Sequence, residues 1–362
     1  MARLRILTLI AVVLAGIVFA LKNKKPDTIA AGKGLVMDKT WLTINPHPAT
    51  PQKDVRPTDQ TFLTYPEWFL VFSPKEQADY FEQHTSTSFP YTNHIDQLWN
   101  GYGVVYDQIK GNYKFNTGYH IMIMVIGVST TVEYGIKSFY ETTIGRVTDN
   151  THMTEEDKFN ARYMRSYVNF IEATPWYDYN FNAQLSDLWS TTDFFGPHFL
   201  RKMERKYYLT TELLVKSGYG WLIKQGTKSA YDEALLNTAV ITDGFPAKMT
   251  EYPEVKDLIQ LSSDSVMMNL PRYADFNPAV CKLALLGVNF KEIAGNNGAI
   301  MLTVLSTKPM APAKDLKVIF TQPIVTKPGL NRIAIVTTVK NLSPVLRELL
   351  GKKATIEHVY DY

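Results

Sequence analysis

Cysteine is nearly absent: Cys281 is the one thiol among 362 residues. A single thiol excludes an internal disulfide and any cysteine-rich metal centre within one chain. Charge of one sign is missing too. With 38 Lys+Arg against 35 Asp+Glu the formal net charge is +3, too small to point to a polyanion, so nucleic acid is not an expected partner. The mean hydropathy of -0.14 lies well below that of a polytopic transporter. There is no phosphate loop ending in Gly-Lys-Ser/Thr, no Gly-x-Gly-x-x-Gly, no Gly-x-Ser-x-Gly elbow and no His-Glu-x-x-His. The seven histidines are scattered without a ligand spacing, so neither a metal nor a cofactor is called for. Cys281 sits amid Ala279, Val280, Leu283 and Leu285, the setting of an inert thiol.

Aromatic side chains are plentiful, with 21 Tyr, 18 Phe and 6 Trp. The strongest local signal is the uncharged apolar run from Ile6 to Leu21, flanked by Arg3, Arg5 and then Lys22, Lys24 and Lys25. As a helix it covers about 24 Å, slightly less than a hydrocarbon layer of roughly 30 Å, a gap that snorkelling basic side chains close. Residues 1–25 therefore read as a membrane anchor. Val18-Phe19-Ala20 offers the competing reading of a cleavable signal peptide, and a buried core helix is a third. Positive charge on both sides of the run sets no orientation. Residues 26–60, broken by Pro26, Pro46, Pro48, Pro51 and Pro57, read as a linker.

Residues 61–236 read as a mainly helical, aromatic-rich domain. Ser73-Pro74-Lys75-Glu76 has the form of an N-cap with proline at the first helical position, opening a helix to about Gln83. A second helix is expected from Ile95 to Ile109. The apolar stretch from Tyr119 to Ile136 has a charge-free core of about twelve residues, the length of a buried core helix, with a second membrane span near 119–140 as the alternative. Thr154-Glu-Glu-Asp157 is an N-cap followed by acids, where a helix dipole favours them. After Gly196-Pro197 a long helix is expected from His198 to about Ile223, basic in its first half and apolar in its second.

Residues 237–362 change texture toward short β-branched runs spaced by turns. Strands are expected at 238–242, 299–305, 316–321 and 332–338, with weaker ones near 264–268 and 355–360, and helices at 254–261, 278–286 and 343–350. Gly295-Asn-Asn-Gly298 fits a tight connection. The fold class is α+β, with this C-terminal part a two-layer sandwich of the ferredoxin-like kind.

His120, Tyr134 and Glu141 fall within about 60° of one another on a helical wheel. An imidazole, a phenol and a carboxylate on one stripe can relay protons, or they can be interhelical hydrogen-bonders. The candidate acid/base groups are His120, Glu133, Glu141 and Asp178. Competing structural roles are an i,i+4 pair of Glu133 with Lys137 and a helix cap for Asp178. Arg201, Lys202, Arg205 and Lys206 form a basic turn able to hold lipid phosphate, or a solvated helix start beside Glu204.

Two functions follow. One is a membrane-anchored binding or assembly protein that contacts membrane lipid and a protein partner through an aromatic surface. The other is a membrane-tethered enzyme acting on a lipid or apolar substrate by carboxylate/histidine acid–base chemistry. The second gains if His120 and at least two of the carboxylates line one cavity, and loses if each is individually paired.

Overall fold

The computed structural model describes residues 29–30, 36–149, 152–230, 235–245 and 252–361. The anchor expected over residues 1–25 lies outside them. The protein is α+β, with long helices and antiparallel sheets. Its described residues fall into two compact units, each assembled from separated stretches of chain. A helical unit takes Phe69–Asp96 and Val125–Glu233, and a sheet unit takes Pro26–Trp68, Gln97–Met124 and Ala234–Tyr362. The divisions fall inside three helices, α1 (Gln60–Phe81), α2 (Tyr91–Ile109) and α3 (Thr117–Tyr140), so each of these contributes to both units.

Helix α1 runs through both Pro66 and Pro74 without a break, although Ser73-Pro74 has the form of a helix start. The Ser73 hydroxyl is engaged elsewhere, 2.8 Å from His94 Nδ1 and 2.7 Å from Tyr134 OH, and caps nothing. Helix α3 is prolonged by a π turn, Glu141–Gly145, and a last α turn, Arg146–Thr148. Helix α4 (Glu155–Ile171) opens at the expected Thr154 N-cap, which forms a capping box: Thr154 Oγ1 accepts from the Asp157 N–H, and the Asp157 carboxylate accepts from the Thr154 N–H. Helix α5 (Phe181–Thr191) follows, and then α6 (Phe199–Ala230), which packs against both α4 and α5.

The sheet unit contains a structural repeat. Strands β2 (Asn237–Thr242), β3 (Lys256–Ser262) and β4 (Ser265–Pro271), helix α7 (Phe276–Leu285) and strand β5 (Phe290–Ile293) build a sheet of order β3-β4-β2-β5. Strands β6 (Ala299–Ser306), β7 (Lys317–Pro323) and β8 (Asn331–Thr338), helix α8 (Val339–Gly351) and strand β9 (Thr355–Val359) repeat that order as β7-β8-β6-β9. In each module the first strand pairs antiparallel with the third along its whole length. A register shift interrupts each first strand where it meets the last, at Ile241/Thr242 and at Thr303/Val304. Such bulges bend a strand and raise its twist. Helices α7 and α8 share one apolar core with both sheets, including Met268, Phe276, Leu283, Ile335, Leu346 and Ile356.

Residues 254–261, expected to be helical, supply β3 instead. The two-residue turn Ser263-Asp264 brings this segment back against β4, pairing Ile259 with Met267 and Gln260 with Val266. Pairing with a neighbour outweighs the i,i+3 spacing of Leu258 and Leu261 that favours helix. Helix α8 starts at Val339, with Pro344 inside it and not at its first position. The Gly295 turn forms as expected: Gly295 has φ of +81°, and Asn296 Oδ1 accepts from the Gly298 N–H at 2.8 Å.

The second module has its outer β7 edge covered by β1 (Ile29–Ala30), an extended piece of the N-terminal linker that pairs antiparallel with Thr321 and Phe320.

Candidate functional site: an apolar face over a charged interior

In an ordinary surface helix the apolar stripe faces the core and charged side chains face water. Beyond its first turn, where Glu156 and Asp157 are buried, helix α4 obeys that rule. Phe159, Tyr163, Met164 and Val168 are buried, while Lys158 and Arg162 are exposed. Helices α3 and α6 reverse it.

On α3, Val125, Val128, Ile136 and Phe139 are exposed, and the continuation adds Ile144 and Val147; Phe139 is 71% exposed. These positions recur at helical spacing on one side. On α6 the outward residues include Leu200, Tyr207, Leu214, Val215, Trp221 and Leu222, with Leu200 74% and Trp221 65% exposed. The segment Thr117–Thr148 is long and apolar enough to cross a membrane, and only 33% of its apolar window is buried. A core helix of a water-soluble protein buries most of such a window.

Charge fills the opposite sides of the same helices. Lys137 Nζ lies 3.0 Å from Glu133 Oε1 and 2.9 Å from Glu212 Oε1, and Lys216 Nζ lies 3.1 Å and 3.4 Å from the same two carboxylates. Two i,i+4 pairs, one on α3 and one on α6, thus close into a four-membered ring. One layer along, Arg205 Nη1 donates to Glu141 Oε1 at 2.6 Å and to Ser86 Oγ at 2.7 Å, while its Nε donates to Glu204 Oε2 at 2.7 Å. The side chains of Arg205 and Glu141 are 0% and 1% exposed. Gly145 belongs to this arrangement, because a Cβ there would collide with the Glu141 carboxylate. Arg201 Nη2 donates to Asp157 Oδ1 at 2.7 Å, and Lys202 Nζ to Glu155 Oε2 at 2.7 Å. Lys206 Nζ donates to the Thr192 carbonyl at 2.8 Å.

The groups singled out from sequence are thereby placed. Glu133 and Glu141 belong to these ion pairs, and Asp178 pairs with Lys224. Arg201, Lys202, Arg205 and Lys206 are buried, their charge directed at carboxylates and a carbonyl of the fold and away from the surface. His120 belongs to the sheet unit, where Phe115 stacks on it at 4.2 Å between ring centres and the Tyr102 hydroxyl lies 2.9 Å from its Nδ1. It lines a cavity of about 70 Å³ with Asp59, Tyr106, Tyr113 and Asn116, among others. Burial holds the Asp59 carboxyl above its ordinary range. A cavity of that size takes a few waters, not a lipid. A larger recess, about 460 Å³, is an open groove beside Arg162 and Arg165, and Arg165 pairs with Asp79 and Glu82.

Glu204 was read beside the basic turn; Asp157, Glu212 and Lys216 were not anticipated as partners. The available signal was Glu212-to-Lys216 spacing identical to Glu133-to-Lys137, set opposite the outward apolar positions of the same helix. Among the described residues no group of three or more His, Cys, Asp and Glu side chains is placed to hold a metal ion. Burial pushes the Cys281 thiol up to about 11, so it is a poor nucleophile. No family model, no curated protein and no solved structure matches this chain.

Proposed function

We propose that this is a membrane protein of the binding or assembly class, whose helical unit lies in the bilayer through the outward faces of α3 and α6. The observation that carries the reading is the reversal of those two helices, charged inside and apolar outside. Ionisable groups near hydrocarbon are costly unless they face a bundle interior and pair with one another. The Glu133–Lys137–Glu212–Lys216 ring and the Arg205–Glu141 pair have that arrangement.

Length supports it independently. The outward apolar positions run from Val125 to Val147 and from Leu200 to Leu222, each about 33 Å of helix against roughly 30 Å of hydrocarbon. Aromatic rings flank the α6 face, with Phe194, Phe195 and Phe199 at one end and Tyr219 and Trp221 at the other. Aromatic side chains concentrate at membrane interfaces. In this reading the run Ile6–Leu21 is the chain's first membrane segment, α3 is a second, and lipid is the principal partner. The enzymatic alternative has less support, because Glu133, Glu141 and Asp178 are each paired to a cation.

Single cysteines at Val128, Leu214 and Lys158, in a full-length Cys281→Ala background reconstituted into lipid vesicles, carry spin labels for the test. Labels at Val128 and Leu214 are expected to collide with oxygen and to be shielded from a polar nickel chelate, with Lys158 behaving oppositely. Equal access of the chelate to all three sites refutes the reading.

A further inference from the structure

The short connection between α2 and α3 builds a small polar cavity within the sheet unit. Gly111, at φ of +79°, ends α2, and the Tyr113 N–H donates to the Ile109 carbonyl at 3.3 Å, so the chain turns back toward α3. Tyr113, Phe115 and Asn116 come from that turn and His120 from the first turn of α3. Tyr106 comes from α2, and Asp59 is the residue before α1. All six line the cavity of about 70 Å³.

Two of its polar groups are poorly served by the fold. Asp59 is 5% exposed, its side-chain partner is the Asn116 amide, and no cation among the described residues pairs with it. The Asn116 carbonyl oxygen accepts from the Tyr119 N–H at 3.3 Å, which leaves the amide's N–H end for the carboxyl. The Tyr113 hydroxyl is buried without a hydrogen-bond partner among the described residues. The remaining walls are rings. Phe115 lies parallel to His120, and Tyr106 stands at 83° to both, its ring centre 6.4 Å and 5.2 Å away.

A buried carboxyl without a counter-ion and a buried hydroxyl without a partner are each costly. One kind of ligand answers both. An ammonium group matches the carboxylate's charge, donates N–H to Asp59 and to the Tyr113 oxygen, and is attracted by aromatic faces. A quaternary ammonium has no N–H to give, and an anion would meet the Asp59 carboxylate. The chain's own lysines do not take the place: Lys110 pairs with Asp107 at 2.5 Å and is more than half exposed, and Lys114 is exposed, where solvent screens its charge. Room for a few waters is room for one end of an alkylamine, with the rest of the ligand outside.

We infer that this cavity recognises a primary ammonium group, R–NH3+, with Asp59 as its counter-ion, the Tyr113 hydroxyl as a second acceptor and Tyr106 and Phe115 as aromatic walls. The inference concerns the sheet unit alone and does not rest on the bilayer reading.

Full-length protein in a non-ionic detergent, with methylammonium chloride as the probe, tests it by nuclear magnetic resonance. Saturating the protein's aromatic protons is expected to transfer to the probe's methyl protons, and titration gives the affinity. Asp59→Asn, nearly isosteric, is expected to bind about tenfold more weakly or worse, the worth of a charged hydrogen bond. Phe115→Ala is expected to lose about two- to fivefold, with far-UV circular dichroism unchanged. Butylamine and glycerophosphoethanolamine as competitors distinguish a free amine from a lipid headgroup, and displacement by either supports the inference. No transfer to methylammonium in wild type overturns it. So does potassium that competes as well as methylammonium, and so does an Asp59→Asn protein that folds and binds as wild type does. If Asp59→Asn does not fold, Tyr113→Phe decides, and unchanged affinity there overturns the inference. Absence of binding with the spin labels still in lipid would leave the bilayer reading standing.

Discussion

Both units bury apolar side chains, but the helical unit also buries a network of ion pairs beneath an outward apolar face. The sheet unit is built around Met268, Phe276, Ile335 and Ile356, apolar side chains that need no partner beyond close packing. The helical unit places Arg201, Arg205, Lys137 and Glu141 inside and leaves Phe139, Leu214 and Trp221 outside. The same contrast recurs within the helical unit, between α4 and α6, neighbours that present opposite chemistry to their surroundings. An apolar core is stable because water is outside it. A charged core is tenable when its charges are matched, and the apolar exterior around it is tenable when the surroundings are not water. The difference teaches that the surroundings, and not the helix, decide which pattern is normal.

Removing a partner from the charged interior is the largest way to break the contrast. Arg205→Ala leaves Glu141 and Glu204 buried beside a missing cation, which costs about 3–5 kcal/mol in comparable pairs. Arg162→Ala, on the exposed side of α4, is expected to cost less than about 0.5 kcal/mol. Denaturation of the two variants in the same detergent measures the gap. Equal losses would mean that the buried pair contributes nothing special.

The sheet unit gives a second contrast, in pH. One of its buried titratable groups is held neutral: burial pushes the His358 imidazole down to about 3. The unfolded chain takes up a proton near pH 6.5 while the folded chain does not, so stability falls as pH drops from about 6.5 toward 3. Between pH 6.5 and 4 that amounts to ~3 kcal/mol at most, an order-of-magnitude figure. Burial raises the Glu67 and Asp361 carboxyls, which acts in the opposite direction, since a folded state that keeps its carboxyl proton longer loses stability as pH rises. The measurement is therefore a difference: His358→Phe is expected to be less acid-sensitive than wild type across that window. Identical pH profiles for the two proteins would show that His358 charges freely in the fold.

How far this contrast was legible in the sequence varies by element. The Thr154 cap, the strands near 299–305, 316–321 and 332–338 and the Gly295 turn were readable because each depends on local chemistry that the structure keeps. Strand β3 and the uninterrupted α1 were not, because the helical spacing of Leu258 and Leu261 masked the hairpin that sets Met267 opposite Ile259, and because His94, which engages Ser73, comes from the next helix. The basic turn Arg201–Lys206 was visible as charge, but its inward direction was not. A one-dimensional pattern shows that a helix has two faces without showing which one meets the neighbouring helix. The repeated module was also hidden, since strand order is conserved between the modules while few residues are.

A charge on the outward face probes the exterior. Leu214→Asp on α6 is expected to cost about 3 kcal/mol of membrane insertion if Leu214 sits near the bilayer centre, and Val128→Asp on α3 a similar amount. The matching change on α4, Lys158→Asp, is expected to leave insertion unaffected. Extraction of each variant from membranes by alkaline carbonate, compared with wild type, reads the effect. Full retention of Leu214→Asp would argue that α6 meets water there.

The smallest expected effect sharpens the comparison at its conventional end. Thr154→Ala removes the side-chain cap of α4, leaving the Asp157 N–H without its acceptor and taking one donor from the Asp157 carboxylate that also accepts from Arg201. Lost N-caps cost about 1 kcal/mol. Because Asp157 Oδ2 is shared by the Thr154 N–H, the Thr154 hydroxyl and Arg201 Nε, the cap and the buried charge are parts of one network. In a double-mutant cycle with Arg201→Met, the Thr154→Ala loss is therefore expected to differ from its value in wild type by more than about 0.5 kcal/mol. Strict additivity would separate the water-facing helix from the charged interior that it borders.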